Sequence, residues 1–386
     1  MLYYLPLESY KERYTCQLSA PKVGWLERNW VKEGIAYQRI DGQRAGVADG
    51  INTGCVVDAV GRSVFAFSQI TKLLLLAQKG QVTSNDVVYL DDFWTPGLEA
   101  LPYAFHLLGI QPRIYALCHA QSVDEYDFTY GMRNWIRPFE CGIGRVLSGI
   151  FVCSSILKDL LVQAGVAPAD KIFLTGLPYA SDEVDTRLPT QSLPRLKQVA
   201  YSSRFDSEKN PHFFMDVVER VTMSRPDVRF VVCTSSNVLR SNDETAVPRL
   251  RRLAMLYPAN VVIREGLTKE QYYEELSQSM VQFNTADQDF VSWTLLEAVQ
   301  CGCYPIYPRF RSFPEALRRK AGFMYHPKSV GSASNAIIAV LDSDGALWDD
   351  AAIASRAWIY KTHDYAWRRM YDHMMQRPQL CHPLHP

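Results

Sequence analysis

The chain has no net charge to speak of: 41 Lys and Arg balance 41 Asp and Glu. That excludes a histone-like binder whose whole surface is an electrostatic footprint, and confines any polyanion site to a local patch. It also has no CxxC pair. Its nine cysteines are scattered, and the tightest pair, Cys301 and Cys303, has a single intervening residue, too close for a zinc knuckle. Reduced thiols in a cytoplasmic protein are the expectation. No run reaches the ~18 to 20 apolar residues of a membrane span; the best candidate, Ile70 to Ala77, is far shorter, so stable membrane insertion is not expected. The opening MLYYLPLESYKERY shows no basic region followed by a long apolar run, and no signal peptide is expected. Internal repeats and low-complexity segments are missing as well.

At 386 residues with 47% apolar content, the chain can build two cores, so two domains of roughly 150 to 200 residues are expected. Short β-rich runs alternate with helical patterns: LYYLPL, VVYLDD from Val87, RIYALCH from Arg113, GIFVCSS from Gly149 and KIFLTGL from Lys171. After a polar linker ending near Leu196 the pattern restarts with QVAYSSR, RFVVCTSS from Arg229, NVVIREGL from Asn260, VQFNTA from Val281 and YPIYPRF from Tyr304. Such alternation reads as βαβ units, hence parallel sheets covered by helices on both faces. The spacing predicts an α/β protein of two Rossmann-like domains, 1–178 and 196–355, facing a cleft, with a tail over 356–386. Ligands of such sheets sit beyond the carboxyl ends of the strands. In the second half those ends are SSRFDSEK, TSSN, EGLTKE and NTADQDFVSW, all polar.

Arg204 and Lys209 flank a turn between a strand and an amphipathic helix, a placement that suits an anion. From Asn284 the sequence runs NTADQDFVSWTLLEAVQCGCYPIYP. Asp289 is expected to precede a helix and Glu297 to sit two turns inside it. The amides of Val291, Ser292 and Trp293 would then form the helix N-terminus, a site for phosphate, with Glu297 accepting from ribose hydroxyls. Asp287-Gln288-Asp289 is also a D-x-D, the metal-binding pattern of a different transferase class, but the helix that follows it favours a metal-free site.

These motifs resemble the second domain of the GT-B glycosyltransferases, in the retaining family related to glycogen synthases. The family pattern E-G-F-G-x-x-x-x-E-A-x-A-x-G is matched by D-F-V-S-W-T-L-L-E-A-V-Q-C-G from Asp289, with Asp in place of the first Glu. Its G-R-x-x-x-x-K-N element is matched by Ser203 to Asn210. The resemblance implies that Arg204 and Lys209 clamp the diphosphate of a nucleotide-sugar, UDP-glucose or similar, and stabilise the leaving group. It implies further that Gly266 and Leu267 read the nucleobase through their backbone, that His119 lies near the transferred sugar, that transfer retains configuration, and that no cofactor or metal is required. The likeness is specific in the second half and loose in the first.

The first half departs from the family, having no glycine-rich loop after its opening strand. Bases and aromatics interleave there instead: Arg13, Lys22, Trp25, Arg28, Trp30 and Lys32, then Arg133, Trp135, Arg137 and Arg145. Such mixtures suit phosphate contacts with stacking on a displaced base, although ordinary amphipathic helices produce them too. Asp91 and Asp92 are either a helix cap or a pair that orients an acceptor hydroxyl. The opening run also resembles phage-encoded glycosyltransferases acting on hydroxymethylated pyrimidines in DNA, which makes double-stranded DNA the leading acceptor. A saccharide or lipid acceptor of envelope synthesis is the alternative; an inactive nucleotide-sugar or DNA-binding module is a third.

Overall fold

A computed structural model of the chain describes residues 1–9, 14–45, 59–119, 121–176, 178–179, 181–287, 289–290, 292–317, 321–343 and 366–375. It divides into two compact units, Met1–Pro178 with Asp364–Pro386, and Tyr179–His363.

In the first unit six parallel strands, β1 (Leu2–Leu5), β2 (Tyr37–Arg39), β3 (Val87–Leu90), β4 (Arg113–Cys118), β5 (Gly149–Val152) and β6 (Ile172–Leu174), lie in the order β2-β1-β3-β4-β5-β6. β1, β3 and β5 are buried along their whole length, as expected of a parallel sheet covered on both faces. β2, sequence YQR, carries no apolar run and is only partly buried at the sheet edge; hydrophobic patterning gives no sign of it.

The second unit's six parallel strands are β7 (Leu196–Tyr201), β8 (Arg229–Cys233), β9 (Val261–Arg264), β10 (Ser279–Phe283), β11 (Tyr304–Pro308) and β12 (Met324–Tyr325), in the order β12-β11-β10-β7-β8-β9. Counted from β7 this is the 3-2-1-4-5-6 order of a doubly wound nucleotide-binding sheet, whose direction of winding switches between β7 and β10. Its core is one continuous cluster that runs from Tyr179 to Leu341.

Two expectations are corrected. The stretch before β7 is more than a polar linker: Ser181–Asp185 is a helix, and Gln300 donates from its amide to Ser181 O at 2.7 Å and to Asp185 Oδ1 at 2.6 Å, which docks it on the second unit. In addition, the helix Ala59–Gln78 is long and apolar enough by length and composition to cross a membrane. Expected from Ile70 to Ala77 only, the apolar run extends toward the N-terminus through Phe65 and Ala66. Its inner face, Phe65, Ala66, Ile70, Leu73 and Ala77, is buried within the first unit, and Gln69 donates to Pro6 O and Ile40 O, both at 2.9 Å.

Candidate active site

The site of the second unit is built where β7 and β10 end side by side. Beyond β7 a 3-10 turn, Ser207–Lys209, leads into the helix Pro211–Ser224. Asn210 joins them in the left-handed region, φ 49°, which an Asn tolerates better than most residues, and Pro211 starts the helix with its φ already set. Three groups hold this corner. Thr285 Oγ1 donates to Lys209 O at 2.6 Å, Tyr201 OH donates to the same carbonyl at 3.2 Å, and Asn210 Nδ2 donates to Thr285 O at 3.0 Å. The Lys209 side chain is thereby aimed across the switch point. Its Nζ meets Asp289 Oδ1 at 3.2 Å, and the Asp289 carbonyl accepts from Ser312 Oγ at 2.5 Å. Asp287 N donates to Glu208 O at 2.9 Å, tying the two loops once more.

Arg204 sits at the rim with its side chain 51% exposed, donating to Glu208 Oε1 at 2.6 Å and to Asp206 Oδ2 at 3.2 Å. The expected basic clamp is therefore refined: both cations have carboxylate partners. An incoming diphosphate would exchange these pairs for charge-assisted hydrogen bonds. Arg204 has room to swing; Lys209, almost fully buried, is held in place.

The remaining polar loops join the same rim. Ser241 Oγ donates to Phe205 O at 2.5 Å, Asn242 N to Asp206 Oδ1 at 2.9 Å, and Ser207 N to Asn242 Oδ1 at 2.8 Å. Gly266, at φ 68°, donates from its amide to Ser236 O at 2.8 Å, and Leu267 N donates to Thr234 O at 3.1 Å. Both amides are thus committed within the protein, so a backbone contact from these two residues to a base would be made by their carbonyls.

Ser292 caps the helix Trp293–Gln300, its side chain accepting from Leu295 N; Trp293 packs edge-on against Tyr179 with ring centroids 5.4 Å apart. Val291 lies outside the described residues. Glu297 sits little more than one turn into this helix, not two, and is 2% exposed. Its Oε1 accepts from Lys269 Nζ at 2.7 Å and from Tyr273 OH at 2.9 Å. Lys269 carries no motif and the sequence reading passed over it. A basic residue directly after the Gly-Leu-Thr turn was the available signal.

In the first unit the order β2-β1-β3 places the switch point between β1 and β3, and here the structure overturns part of the acceptor reading. Asp91 is buried in the core, paired with the fully buried Lys22, and accepts from Tyr4 OH at 2.5 Å. With Oδ1 held by Lys22 and Oδ2 by Tyr4 OH and Leu7 N, both its oxygens are engaged within the unit, which tells against a role in orienting an acceptor hydroxyl. Lys22 lies 5.0 Å from the ring centres of both Tyr89 and Trp367, and burial pushes its ammonium well below the usual lysine range. Trp25 is likewise core rather than a stacking platform: its ring stacks on Trp367 at 5.7 Å. Asp92 behaves as a turn cap, accepting from Trp94 N at 3.0 Å, and it also pairs with Arg62 at 3.0 Å and accepts from Gln121 Nε2 at 3.2 Å. His119 follows β4 and donates from Nε2 to the Asp91 carbonyl at 2.9 Å. Burial lowers its pKa, opposed by Asp92, so the ring is neutral at pH 7.

Arg137 is spent on Ser122, donating to its carbonyl at 2.5 Å and its hydroxyl at 3.2 Å. Arg133 is exposed over the Tyr130 ring at 4.3 Å, and Trp135 beside it is 61% exposed. Arg13 lies outside the described residues. Among the described residues no group of His, Cys, Asp or Glu is arranged to hold a metal ion. Asp289 of the D-x-D faces Lys209 instead.

Two doubly wound parallel sheets, one with a lysine–carboxylate pair at its switch point, define the GT-B fold class. Within it, residues 189–358 match the family model described as glycosyl transferases group 1. A curated relative, the tRNA-queuosine alpha-mannosyltransferase of Drosophila melanogaster, is 25% identical over 134 residues, which is 35% of this chain and 32% of that protein's length. Among solved structures, HepE of Anabaena in complex with UDP superposes with a TM-score of 0.67 at 12% identity, over 97% of this chain and 99% of that one. A UDP-forming alpha,alpha-trehalose-phosphate synthase from Burkholderia vietnamiensis does so with a TM-score of 0.64 at 13% identity, over 96% and 97%. The structural likenesses are likenesses of fold.

Proposed function

We propose that the protein is a retaining glycosyltransferase that moves a hexose from a nucleotide-sugar, UDP-glucose or similar, to a hydroxyl on a modified base of a nucleic acid, a 5-hydroxymethylpyrimidine in DNA first among them. The observation that carries the transferase reading is the meeting of Lys209 and Asp289 at the β7/β10 switch point, with Arg204 alongside, inside the segment that matches the family model. Arg204 and Lys209 would neutralise the charge that develops on the departing diphosphate, the work a metal does in other transferases. The helix beginning at Trp293 adds its dipole.

The nucleic-acid acceptor is supported by the relative whose name gives tRNA-queuosine as its substrate, and by the exposed Arg133 and Trp135 on one helix. Lys22, Trp25 and Trp30, being core, no longer support it. Incubating the protein with labelled UDP-glucose, or a labelled mannose donor, and either hydroxymethylated DNA or queuosine-containing tRNA is expected to label the polynucleotide. Label that enters only oligosaccharide or lipid would replace this acceptor with the envelope-synthesis alternative. Donor that is neither transferred nor hydrolysed would leave a binding module.

A further inference from the structure

The Glu297–Lys269 pair is unaccounted for by any motif. Lys269 is the first residue of the helix Lys269–Gln278, begun by a capping box in which Thr268 and Gln271 exchange side-chain and backbone hydrogen bonds. A cation in the first turn opposes the helix dipole, so local electrostatics disfavour lysine here. What compensates it is tertiary. Its ammonium donates to the buried Glu297 at 2.7 Å and lies 5.3 and 5.6 Å from the ring centres of Tyr272 and Tyr273. A residue that breaks a local rule to satisfy a distant one marks a place where function outweighs local preference.

We propose that Lys269 is a positioning residue of the donor site: it supplies the counter-charge beside the buried Glu297, and with Tyr273 it fixes the rotation of that carboxylate so that it reads the ribose diol of a ribonucleoside diphosphate sugar. The inference rests on the transferase reading above. A buried carboxylate stripped of its cation is strongly disfavoured, and a carboxylate free to rotate is a poorer acceptor for two hydroxyls. Tyr273 and Lys269 both donate to Oε1, and two donors on one oxygen leave the group little freedom to turn. The turn at Gly266 and Leu267 immediately precedes Lys269, so one short segment would carry both the base-facing carbonyls and the residue that orients the ribose reader.

The test is calorimetric titration of the full chain with UDP and with 2′,3′-dideoxy-UDP. The wild type is expected to prefer UDP by on the order of tenfold or more, the size expected when hydrogen bonds to a charged group are lost. Lys269→Met is expected to bind UDP on the order of tenfold more weakly and to lose most of the preference, and Lys269→Arg to recover both. Should Lys269→Met fail to fold, Lys269→Gln, which keeps a donor for Glu297 without the charge, carries the same comparison. An unaltered UDP to dideoxy-UDP ratio in the folded variant overturns the role of Lys269 and leaves the transferase reading standing. A wild-type protein that binds none of UDP, GDP and ADP overturns the transferase reading itself.

Discussion

At the residue scale two ion pairs have opposite meanings. Lys209 and Asp289 lie at a rim with Arg204, where charge can be exchanged for a ligand. If they form the diphosphate clamp, Arg204→Ala and Lys209→Ala should each lower the transfer rate ~100-fold or more, the usual loss when a charge-stabilising donor is removed; full activity in either variant would remove that residue from the site. Lys22 and Asp91 are sealed in the core, and no ligand reaches them. Lys22→Met leaves a buried carboxylate without a cation and is expected to destabilise the first unit by ~3–5 kcal/mol, whereas adding Asp91→Asn should restore most of the loss, since it removes the unpaired buried charge and keeps an acceptor for Tyr4 OH. Chemical denaturation of the two variants measures the difference. A loss under ~1 kcal/mol for the single change would mean that Asp91 finds another partner.

At the element scale, the described helical residues 366–375 complete the first unit's core: Trp367, Met370, Tyr371 and Met374 join the cluster of β1, β3 and β5. His373 of the same helix stacks on Phe173 at 3.8 Å between ring centres, and burial pushes its imidazole down to about 4. The sign follows from which state takes the proton. Above pH ~6.5 the folded and unfolded chains are both neutral at this position. Between 6.5 and about 4 the unfolded chain is protonated and the folded chain is not, so stability falls across that window and levels off below it. His119, lowered in the same direction, adds to the trend. Thermal melts between pH 7 and 4 should therefore fall more steeply for the wild type than for His373→Gln, and superimposable profiles would show that His373 is solvated instead.

At the scale of the whole molecule, ten of the twelve strands among the described residues coincide with the apolar runs quoted above, because strands buried on both faces must be apolar along their length. Of the other two, Tyr37–Arg39 sits at a sheet edge and needs no such run, and Met324–Tyr325, at the edge of the second sheet, is only two residues long. Arg204, Lys209, Asp289 and Glu297 were legible because each belongs to a motif whose spacing is set by a strand, a turn and a helix in succession. Trp25 and Asp91 were misread for the converse reason. A lysine, a tryptophan and an aspartate look the same in sequence whether they face solvent or one another, and only packing against Trp367, Tyr4 and Tyr89 shows that they face inward.

What the sequence determined alone was periodicity: which segments are strands and helices, that they alternate, and therefore that two parallel sheets form with their polar loops at the carboxyl ends. What the tertiary structure decided was partnership. That Lys209 finds Asp289 eighty positions away and Lys269 finds Glu297 twenty-eight away depends on β10 lying beside β7 and on the helix after β9 packing near the one after β10. Strand order is set by long-range burial, which no local pattern encodes.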